Sequence, residues 1–426
     1  MISTENRIIL DSFELKDNHL TAKKQKYESA AISNQLPIIW HRAKDFNVYD
    51  QGGNKWIDMT SGIFVANAGH SNPQINNAIK AQLDKELSFA FLYNTEIRYE
   101  FIEKLLEISP DHFEKAALLN SGSEITDIAS KLIKFWAKKN NKKYIIVFEG
   151  NYHGRTLAAD FLSGTRKSTD WCGLKDENII FFKFPYGDER FNLDDLPPWI
   201  EPDEIAAFFL ETYQGWGAWM YPEHYIKDLY DFARQAGALV CFDEVQAGFY
   251  RMGELYGYMT YGDYIKPDLI CLGKGISSSL PMSALLGTKE LIDVDINAKV
   301  GGTHSGNALC CAAALANINF LADDDFQEEL KEKVKLFESA SKSLLKFKSV
   351  TNINCKGMIA GIIFHDEPTA TKVVKECVYN GVLPVYTFKN SIKLGPPLTI
   401  TKDAIKEALD VISDCIQKVE NEHNQE

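Results

Sequence analysis

Several short apolar runs lack any alternation of polar and apolar residues, and this feature constrains the fold of the chain most. Four of them span residues 143–148, 206–210, 238–242 and 269–273. Strands of a parallel sheet are buried on both faces, so they read as continuous apolar runs. Helical stretches such as 73–87 and 124–138 alternate with runs of this kind. The alternation predicts an α/β fold with a mostly parallel, doubly wound sheet.

The order of these patterns predicts three segments along the 426 residues. Residues 1–65 are expected to form a polar N-terminal arm with helical character, followed by a β-hairpin that turns at Gly52 and Gly53. Residues 66–322 carry the alternating pattern and are expected to form the large domain. Residues 323–426 open with a charged helix and are expected to form a smaller α/β domain.

Composition excludes several classes of function. The formal net charge of -13 argues against nonspecific nucleic-acid binding. No apolar stretch is long enough to span a bilayer, and the N-terminus lacks the pattern of a secretory signal. The eight cysteines are scattered without a C-x-x-C pair, so no zinc framework is predicted. We therefore expect a cytoplasmic protein with reduced thiols.

Two reactive residues follow two of the apolar runs: Asp243 follows residues 238–242, and Lys274 follows residues 269–273. Functional groups of open α/β sheets gather at the carboxyl ends of the strands. An amine that forms a Schiff base and a carboxylate that pairs with a pyridinium nitrogen are the minimum equipment for pyridoxal phosphate. Asp243 and Glu244 could instead form a buried ion pair or a metal site, and Lys274 could be a solvated lysine at a helix start.

Two further segments are candidates for binding an anion. Ser121, Gly122 and Ser123 open a predicted helix, and residues 301–307, which include Thr303, precede another. Unpaired N–H groups at a helix N-terminus suit a phosphate. Both segments could equally be ordinary helix caps, since Ser121 and Glu124 have the spacing of a capping box.

Two other strand ends carry side chains that suit a cofactor site. Tyr152 and His153 follow the run 143–148, and an aromatic ring there could stack on a flat cofactor. Glu211 follows the run 206–210. Tyr152 and His153 could instead be a loop tyrosine and a hydrogen-bonding histidine, and Glu211 could be a surface-loop glutamate.

In this order and spacing the motifs resemble the class III aminotransferases, the ω-amino acid:pyruvate, 4-aminobutyrate and ornithine type, which are fold-type I pyridoxal phosphate enzymes. The resemblance runs from about Trp40 to about Thr401. The stretch from Phe242 to Gly253, followed by Pro267-Asp268 and Gly273-Lys274-Gly275, carries most of it. It implies a large domain with a mostly parallel seven-stranded sheet between helices, and a smaller α/β domain built from the C-terminus and the N-terminal segment.

The resemblance also implies how the cofactor ring is held. Lys274 would be the Schiff-base lysine and proton shuttle, and Asp243 would pair with the pyridinium nitrogen. Tyr152 would stack on one face of the ring and Val245 would pack against the other. Gln246 would lie near the phenolic oxygen.

The same resemblance implies which residues bind the phosphate of the cofactor and which lie near the substrate. The phosphate would be bound at the helix start, by Ser121, Gly122 and Ser123. Thr303 would reach the phosphate from a partner subunit, which implies a homodimer with shared active sites. His153 matches the loop beside the cofactor, and Glu211 and Lys393 match positions near the substrate.

Three departures from the family pattern bear on the substrate. Thr212 stands where the family usually has proline, and His304 follows Thr303 where phenylalanine is usual. Lys393 stands where many members carry an arginine that grips a substrate carboxylate. Lysine keeps the positive charge but loses the bidentate fork.

The function implied is a ping-pong aminotransferase. Through a Lys274 aldimine it would move an amino group from an amino acid or ω-amino compound to a 2-oxo acid, 2-oxoglutarate or pyruvate. Two alternatives on the same scaffold are an aminomutase of the glutamate-1-semialdehyde type and an amino-acid epimerase. A third is a non-catalytic protein that binds pyridoxal phosphate.

Overall fold

A computed structural model describes residues 1–32 and 35–423, so residues 33, 34 and 424–426 of the predicted terminal segments lie outside the described part. The strands are β1 (Ile2–Ser3), β2 (Ile8–Ile9), β3 (Arg42–Lys44), β4 (Asn47–Tyr49), β5 (Lys55–Asp58), β6 (Lys115–Leu119), β7 (Tyr144–Phe148), β8 (Ile179–Phe182), β9 (Ile205–Glu211), β10 (Leu239–Asp243), β11 (Leu269–Leu272), β12 (Ser283–Gly287), β13 (Val350–Lys356), β14 (Ile359–Phe364), β15 (Val382–Leu383), β16 (Val385–Lys389) and β17 (Ser391–Leu394). The α-helices are α1 (His19–Tyr27), α2 (Ser61–Phe64), α3 (Pro73–Asp84), α4 (Glu96–Ile108), α5 (Gly122–Lys139), α6 (Leu157–Phe161), α7 (Glu223–Gln235), α8 (Lys289–Ile292), α9 (Ala308–Leu321), α10 (Asp324–Lys342), α11 (Glu367–Tyr379) and α12 (Lys402–His423).

The contacts divide the chain into two compact units, and the larger one spans Pro73–Asp323. Its seven-stranded sheet has the order β6-β12-β11-β10-β9-β7-β8. The pairs β11–β10, β10–β9, β9–β7 and β7–β8 are parallel, whereas β12 runs antiparallel to both its neighbours. The predicted seven-stranded, mostly parallel sheet is therefore confirmed.

The apolar runs form the central strands of this sheet because both faces are covered. Every residue of β7, β9, β10 and β11 is buried. Helix α5 covers one face with a stripe of buried residues at helical spacing, Ile125, Ala129, Leu132 and Ile133. Burying a side chain of leucine or isoleucine size stabilises the fold by about 1.5–3 kcal/mol.

The register of the sheet decides which side chains meet at its carboxyl edge. Asp243, the last residue of β10, lies opposite Glu211 on β9 and opposite Cys271 on β11. Lys274 follows β11 after a single glycine. The sheet thus brings the two predicted reactive residues to neighbouring strand ends.

The other unit is built from Met1–Asn72 and Asp324–Glu426. One of its sheets has the order β1-β2-β5-β4-β3, with β15 parallel to β5, and the other has the order β13-β14-β17-β16. The predicted hairpin is confirmed as the antiparallel pair of β4 and β5. The N-terminal arm contributes α1, as expected from its helical character, and also the short strands β1 and β2. Among the described residues, no helix is long and apolar enough to cross a membrane.

Candidate active site

Lys274 occupies an unusual backbone position at the end of β11. Its φ of 44° lies in the left-handed region, which costs energy for a residue with a side chain and is characteristic of functional sites. The side chain is only partly accessible to solvent. Burial lowers the pKa of its amine, while the charges of Asp243 and Glu211 act in the opposite direction. A lowered pKa increases the share of neutral amine, the form that acts as a nucleophile and a base.

Asp243 is held by one backbone group and one imidazole. Its Oδ1 accepts a hydrogen bond from the Val245 N–H at 3.0 Å, and its Oδ2 lies 2.8 Å from Nδ1 of His153. A carboxylate can only accept, so the imidazole donates. On the other side of the ring, Asn151 Nδ2 lies 3.5 Å from Nε2 of His153. Asp243 and His153 are both buried, and each carboxylate oxygen keeps capacity for a further donor.

Glu211 is buried beside Asp243, but its carboxylate has different partners. Oε2 accepts from the N–H of Tyr152 at 2.6 Å, and Oε1 accepts from the N–H of Gly215 at 2.8 Å. Burial, and after it the charge of Asp243, raises the pKa of Glu211 to about 8, against the effect of the two N–H donors. Glu211 therefore ties the loop that carries Tyr152 to the loop after β9.

The start of α5 has the cap that its sequence predicts. The Ser121 hydroxyl accepts from the Glu124 N–H at 3.3 Å, and Glu124 accepts in return from the Ser121 N–H at 2.8 Å. The Ser123 hydroxyl accepts from the Arg155 N–H at 3.1 Å. Gly154 is required beside it, because a Cβ there would come within 2.4 Å of Ser123 Oγ. The capping box is confirmed, and a helix start with this geometry remains suited to an anion.

Val245 packs between two glycines of the site. A Cβ on Gly122, at the start of α5, would lie 3.0 Å from Val245 Cγ1, and a Cβ on Gly273 would lie 3.2 Å from the same atom. Both positions therefore favour glycine for close packing. Val245 also packs against the apolar core of the sheet.

Gln246 carries a buried donor that the described part of the chain does not satisfy. Its Nε2 has no hydrogen-bond acceptor among the residues that the structure describes. Leaving a buried donor unpaired costs about 1–3 kcal/mol. A bound group with an acceptor oxygen at this place would remove that cost.

These side chains fit pyridoxal phosphate. The Asp243 carboxylate has spare acceptor capacity for the ring nitrogen, and the Lys274 amine, with its lowered pKa, suits the aldehyde. The unsatisfied amide donor of Gln246 suits the phenolic oxygen, and the N-terminus of α5 suits the phosphate.

The structure brings most of the predicted site residues together in the larger unit, but not all of them. The exposed Thr303 lies in the loop that precedes α9. Lys393 belongs to the other unit, where it is buried in β17 with its ammonium 5.0 Å from the ring centroid of Phe64.

One buried polar pair was missed by sequence reasoning. The hydroxyl of Thr212, directly after β9, donates to the carboxylate of Glu244, directly after β10. The signal available was that a polar residue ends each strand and a second polar residue follows it, Glu211-Thr212 and Asp243-Glu244. Their pairing depends on β9 and β10 being neighbours, which the sequence did not establish.

Comparison with known proteins supports one family throughout. The family model for aminotransferase class-III matches residues 29–416. Ornithine aminotransferase 2 of Staphylococcus aureus is 31% identical over 389 residues, which cover 90% of this chain and 95% of that protein. Acetylornithine aminotransferase of Clostridium acetobutylicum is 30% identical over 387 residues, which cover 89% and 96%.

Solved structures agree in fold. An ornithine aminotransferase from Toxoplasma gondii, with pyridoxal phosphate at partial occupancy in its active site, superposes with a TM-score of 0.85 at 24% identity, covering 95% of each chain. An S-selective transaminase from Bacillus megaterium has a TM-score of 0.83 at 22% identity, covering 95% of this chain and 99% of the other.

Proposed function

The chain belongs to the class III aminotransferases, and from this premise we propose that Lys274 and Asp243 carry its chemistry. The protein is a pyridoxal-phosphate-dependent aminotransferase that moves an amino group from an amino donor to a 2-oxo acid. One observation supports the assignment of residues above the others. A buried carboxylate fixed by an imidazole and an amine of lowered pKa lie at adjacent strand ends of one sheet.

Each side chain has a distinct task in this proposal. When bound, pyridoxal phosphate supplies a ring that accepts the electron pair released at the substrate's reacting carbon. Asp243 keeps the ring nitrogen protonated, and His153 keeps Asp243 in place. Lys274 would hold the cofactor through its amine, and its Nζ would move a proton to and from the substrate carbon.

The remaining predicted contacts surround these two residues. Tyr152 and Val245 are the proposed neighbours of the two ring faces, and Gln246 donates to the phenolic oxygen. The N–H groups at the start of α5 bind the phosphate, together with the hydroxyls of the helix start, Ser121 and Ser123. Glu211 is proposed to act next to the substrate by holding the Tyr152 loop, since backbone N–H groups occupy both its oxygens.

We propose that the donor carries a terminal amine and a carboxylate, and that the acceptor is 2-oxoglutarate or pyruvate. The support for the donor is similarity to enzymes named ornithine and acetylornithine aminotransferase. Lys393 is the proposed partner of the substrate carboxylate. Its ammonium would act as a single positive charge, without the bidentate hydrogen bonds of an arginine guanidinium.

We also propose that the protein acts as a homodimer, in which Thr303 reaches the phosphate site of the partner subunit. The support is a group of exposed apolar side chains within a short stretch of the larger unit, Leu83, Leu87, Phe89, Phe91, Leu92, Tyr93 and Tyr99. Exposed apolar patches rimmed by polar residues are typical of interaction surfaces. Sedimentation of the purified protein tests the dimer, and a monomer at micromolar concentration would contradict it.

The assignment is tested with purified protein and a panel of α-, β- and ω-amines, each with 2-oxoglutarate or pyruvate. We expect transfer of the amine to the added oxo acid and complete loss of it in Lys274→Ala. Equal turnover in that variant would refute the role of Lys274. Rearrangement or epimerisation without an oxo acid would favour the aminomutase or epimerase alternative.

A further inference from the structure

Thr212 is a buried threonine at the point where β9 ends, next to Glu211. A buried hydroxyl needs a hydrogen-bond partner, since burying it without one is costly. Its partner here is the side chain of Glu244 rather than a nearby backbone carbonyl. The bond therefore joins the end of β9 to the residue that directly follows Asp243.

Glu244 is completely buried and depends on donors of this kind. Oε2 accepts from the Gly257 N–H at 2.7 Å, and Oε1 accepts from the Tyr258 N–H at 2.8 Å and from the Thr212 hydroxyl. Burial raises the pKa of Glu244 to about 7, while these three donors act in the opposite direction. Removing the hydroxyl would leave a buried carboxylate with one donor fewer.

The backbone of Thr212 makes two more links to the same region. Its carbonyl accepts from the hydroxyl of Tyr261 at 3.2 Å, and its N–H lies 3.5 Å from the carbonyl oxygen of Asp243. Tyr261 in turn stacks on Phe242, with ring centroids 6.3 Å apart. Thr212 is thus linked to Asp243, to Glu244 and to the turn at residues 257–261.

We propose that Thr212 is a positioning residue for the cofactor. Its hydroxyl holds the Asp243–Glu244 segment so that the Asp243 carboxylate stays where it can bind the ring nitrogen. This inference rests on the proposed role of Asp243. The competing explanation is that Thr212 only stabilises the fold, as any buried hydrogen-bonded threonine does. If Thr212 positions Asp243, removing its hydroxyl weakens cofactor binding. If Thr212 only stabilises the fold, removing the hydroxyl lowers stability and leaves cofactor affinity unchanged.

The test measures the dissociation constant of pyridoxal 5'-phosphate for full-length protein stripped of cofactor, in wild type and in Thr212→Val. Valine keeps the shape and the backbone N–H but removes the hydroxyl. We expect about a 10-fold weaker affinity, because cofactor binding must then re-order the Asp243–Glu244 segment, at a cost comparable to one hydrogen bond. Thr212→Ser keeps the hydroxyl and should bind within about twofold of wild type. If Thr212→Val does not fold, the comparison of Thr212→Ser with Thr212→Ala isolates the hydroxyl instead.

Thr387→Val is the matched control. Thr387 is also buried, and its hydroxyl donates to the Ser391 carbonyl at 2.5 Å in the other unit. We expect this control to lower the melting temperature and leave the cofactor affinity unchanged. If Thr212→Val behaves in the same way, Thr212 is purely structural and the inference is wrong.

A double-mutant cycle shows whether Thr212 acts through Asp243. In an Asp243→Asn background, we expect Thr212→Val to lose most of its effect on cofactor affinity. A full effect in that background would overturn the inference. The proposed function fails separately, because it is wrong if wild type itself binds no cofactor.

Discussion

The last residues of β10 and β9 make an instructive comparison. Asp243 and Glu211 face each other across neighbouring strands, and both are buried carboxylic acids. The Asp243 carboxylate accepts hydrogen bonds from one imidazole and one backbone N–H and has capacity for further donors. Both oxygens of Glu211 accept hydrogen bonds from backbone N–H groups of two loops. The same position and the same chemical group thus give one residue that is free to bind a cofactor and one that holds the loops around it.

The difference also lets two acids lie side by side. Two carboxylates this close would repel each other if both were ionised. Burial and the charge of Asp243 raise the pKa of Glu211, which reduces the negative charge that Glu211 adds next to Asp243.

The largest expected effect distinguishes the two acids directly. Asp243→Asn keeps the shape but removes the charge that, in the proposed function, keeps the ring nitrogen of the cofactor protonated. We expect the turnover number to fall about 1,000-fold at saturating cofactor, within the range known for groups that control a catalytic proton. Steady-state kinetics of amino transfer at saturating cofactor and substrates measure the turnover number. If Asp243→Asn lowered the turnover number less than Glu211→Gln does, the roles assigned to the two acids would have to be exchanged.

A second prediction concerns stability against pH and extends the comparison to Glu244. The pKa of Glu244 is about 7 in the folded protein, whereas an unperturbed glutamate has a pKa of 4.5, so between these values the folded state binds more protons than the unfolded state. The stabilisation from protonated Glu244 is complete below about pH 4.5 and is lost as the pH rises towards 7 and beyond. A shift of this size corresponds to about 3 kcal/mol.

The measurement is urea unfolding of cofactor-free protein at intervals from pH 5 to pH 8, in wild type and Glu244→Gln. Wild type should lose stability relative to the variant as the pH rises, since glutamine does not titrate. Glu177→Gln, at an exposed position, serves as the control and should follow wild type. Parallel curves for wild type and Glu244→Gln would show that Glu244 is already ionised at pH 5.

Sequence reasoning predicted the frame of this site well because the frame depends on local patterns. Continuous apolar runs indicated β10 and β11, and the spacing of Ser121 and Glu124 indicated the start of α5. Asp243 and Lys274 then followed from the rule that reactive groups lie at the carboxyl ends of strands. The resemblance to a family supplied their proposed roles.

The partners of these residues could not be predicted in the same way. His153 and Asp243 are 90 residues apart, and they meet because β7 and β10 are separated by a single strand, β9, in the same sheet. The order of strands is a property of the whole fold, and the order of runs along the chain does not reveal it. Thr212 shows this most clearly, since it was noted only as a departure from a motif and its bond to Glu244 requires the strand order.

A third prediction tests whether Glu211 is a support. Glu211→Gln keeps the size, but its NH₂ group would face one of the two N–H donors from Tyr152 and Gly215. We expect cofactor affinity to fall about 10-fold through the loss of one buried hydrogen bond, with a turnover number changed less than in Asp243→Asn. Equilibrium binding and saturation kinetics separate the two effects. A loss confined to turnover would instead indicate that Glu211 acts on the substrate directly.

The smallest expected effect comes from Gly215→Ala, which disturbs Glu211 while leaving the contacts of Asp243 intact. A Cβ at this position would lie 2.8 Å from Glu211 Oε1 and 3.1 Å from Gln246 Oε1. Both atoms are the ends of side chains that can shift, so we expect cofactor affinity to fall only about threefold, less than for a hydrogen bond lost outright. Gly52→Ala, in the hairpin of the other unit, is the control and should leave that affinity unchanged. If Gly215→Ala matched Asp243→Asn, a small displacement of Glu211 would be enough to disable the site, and the two acids could no longer be assigned separate tasks.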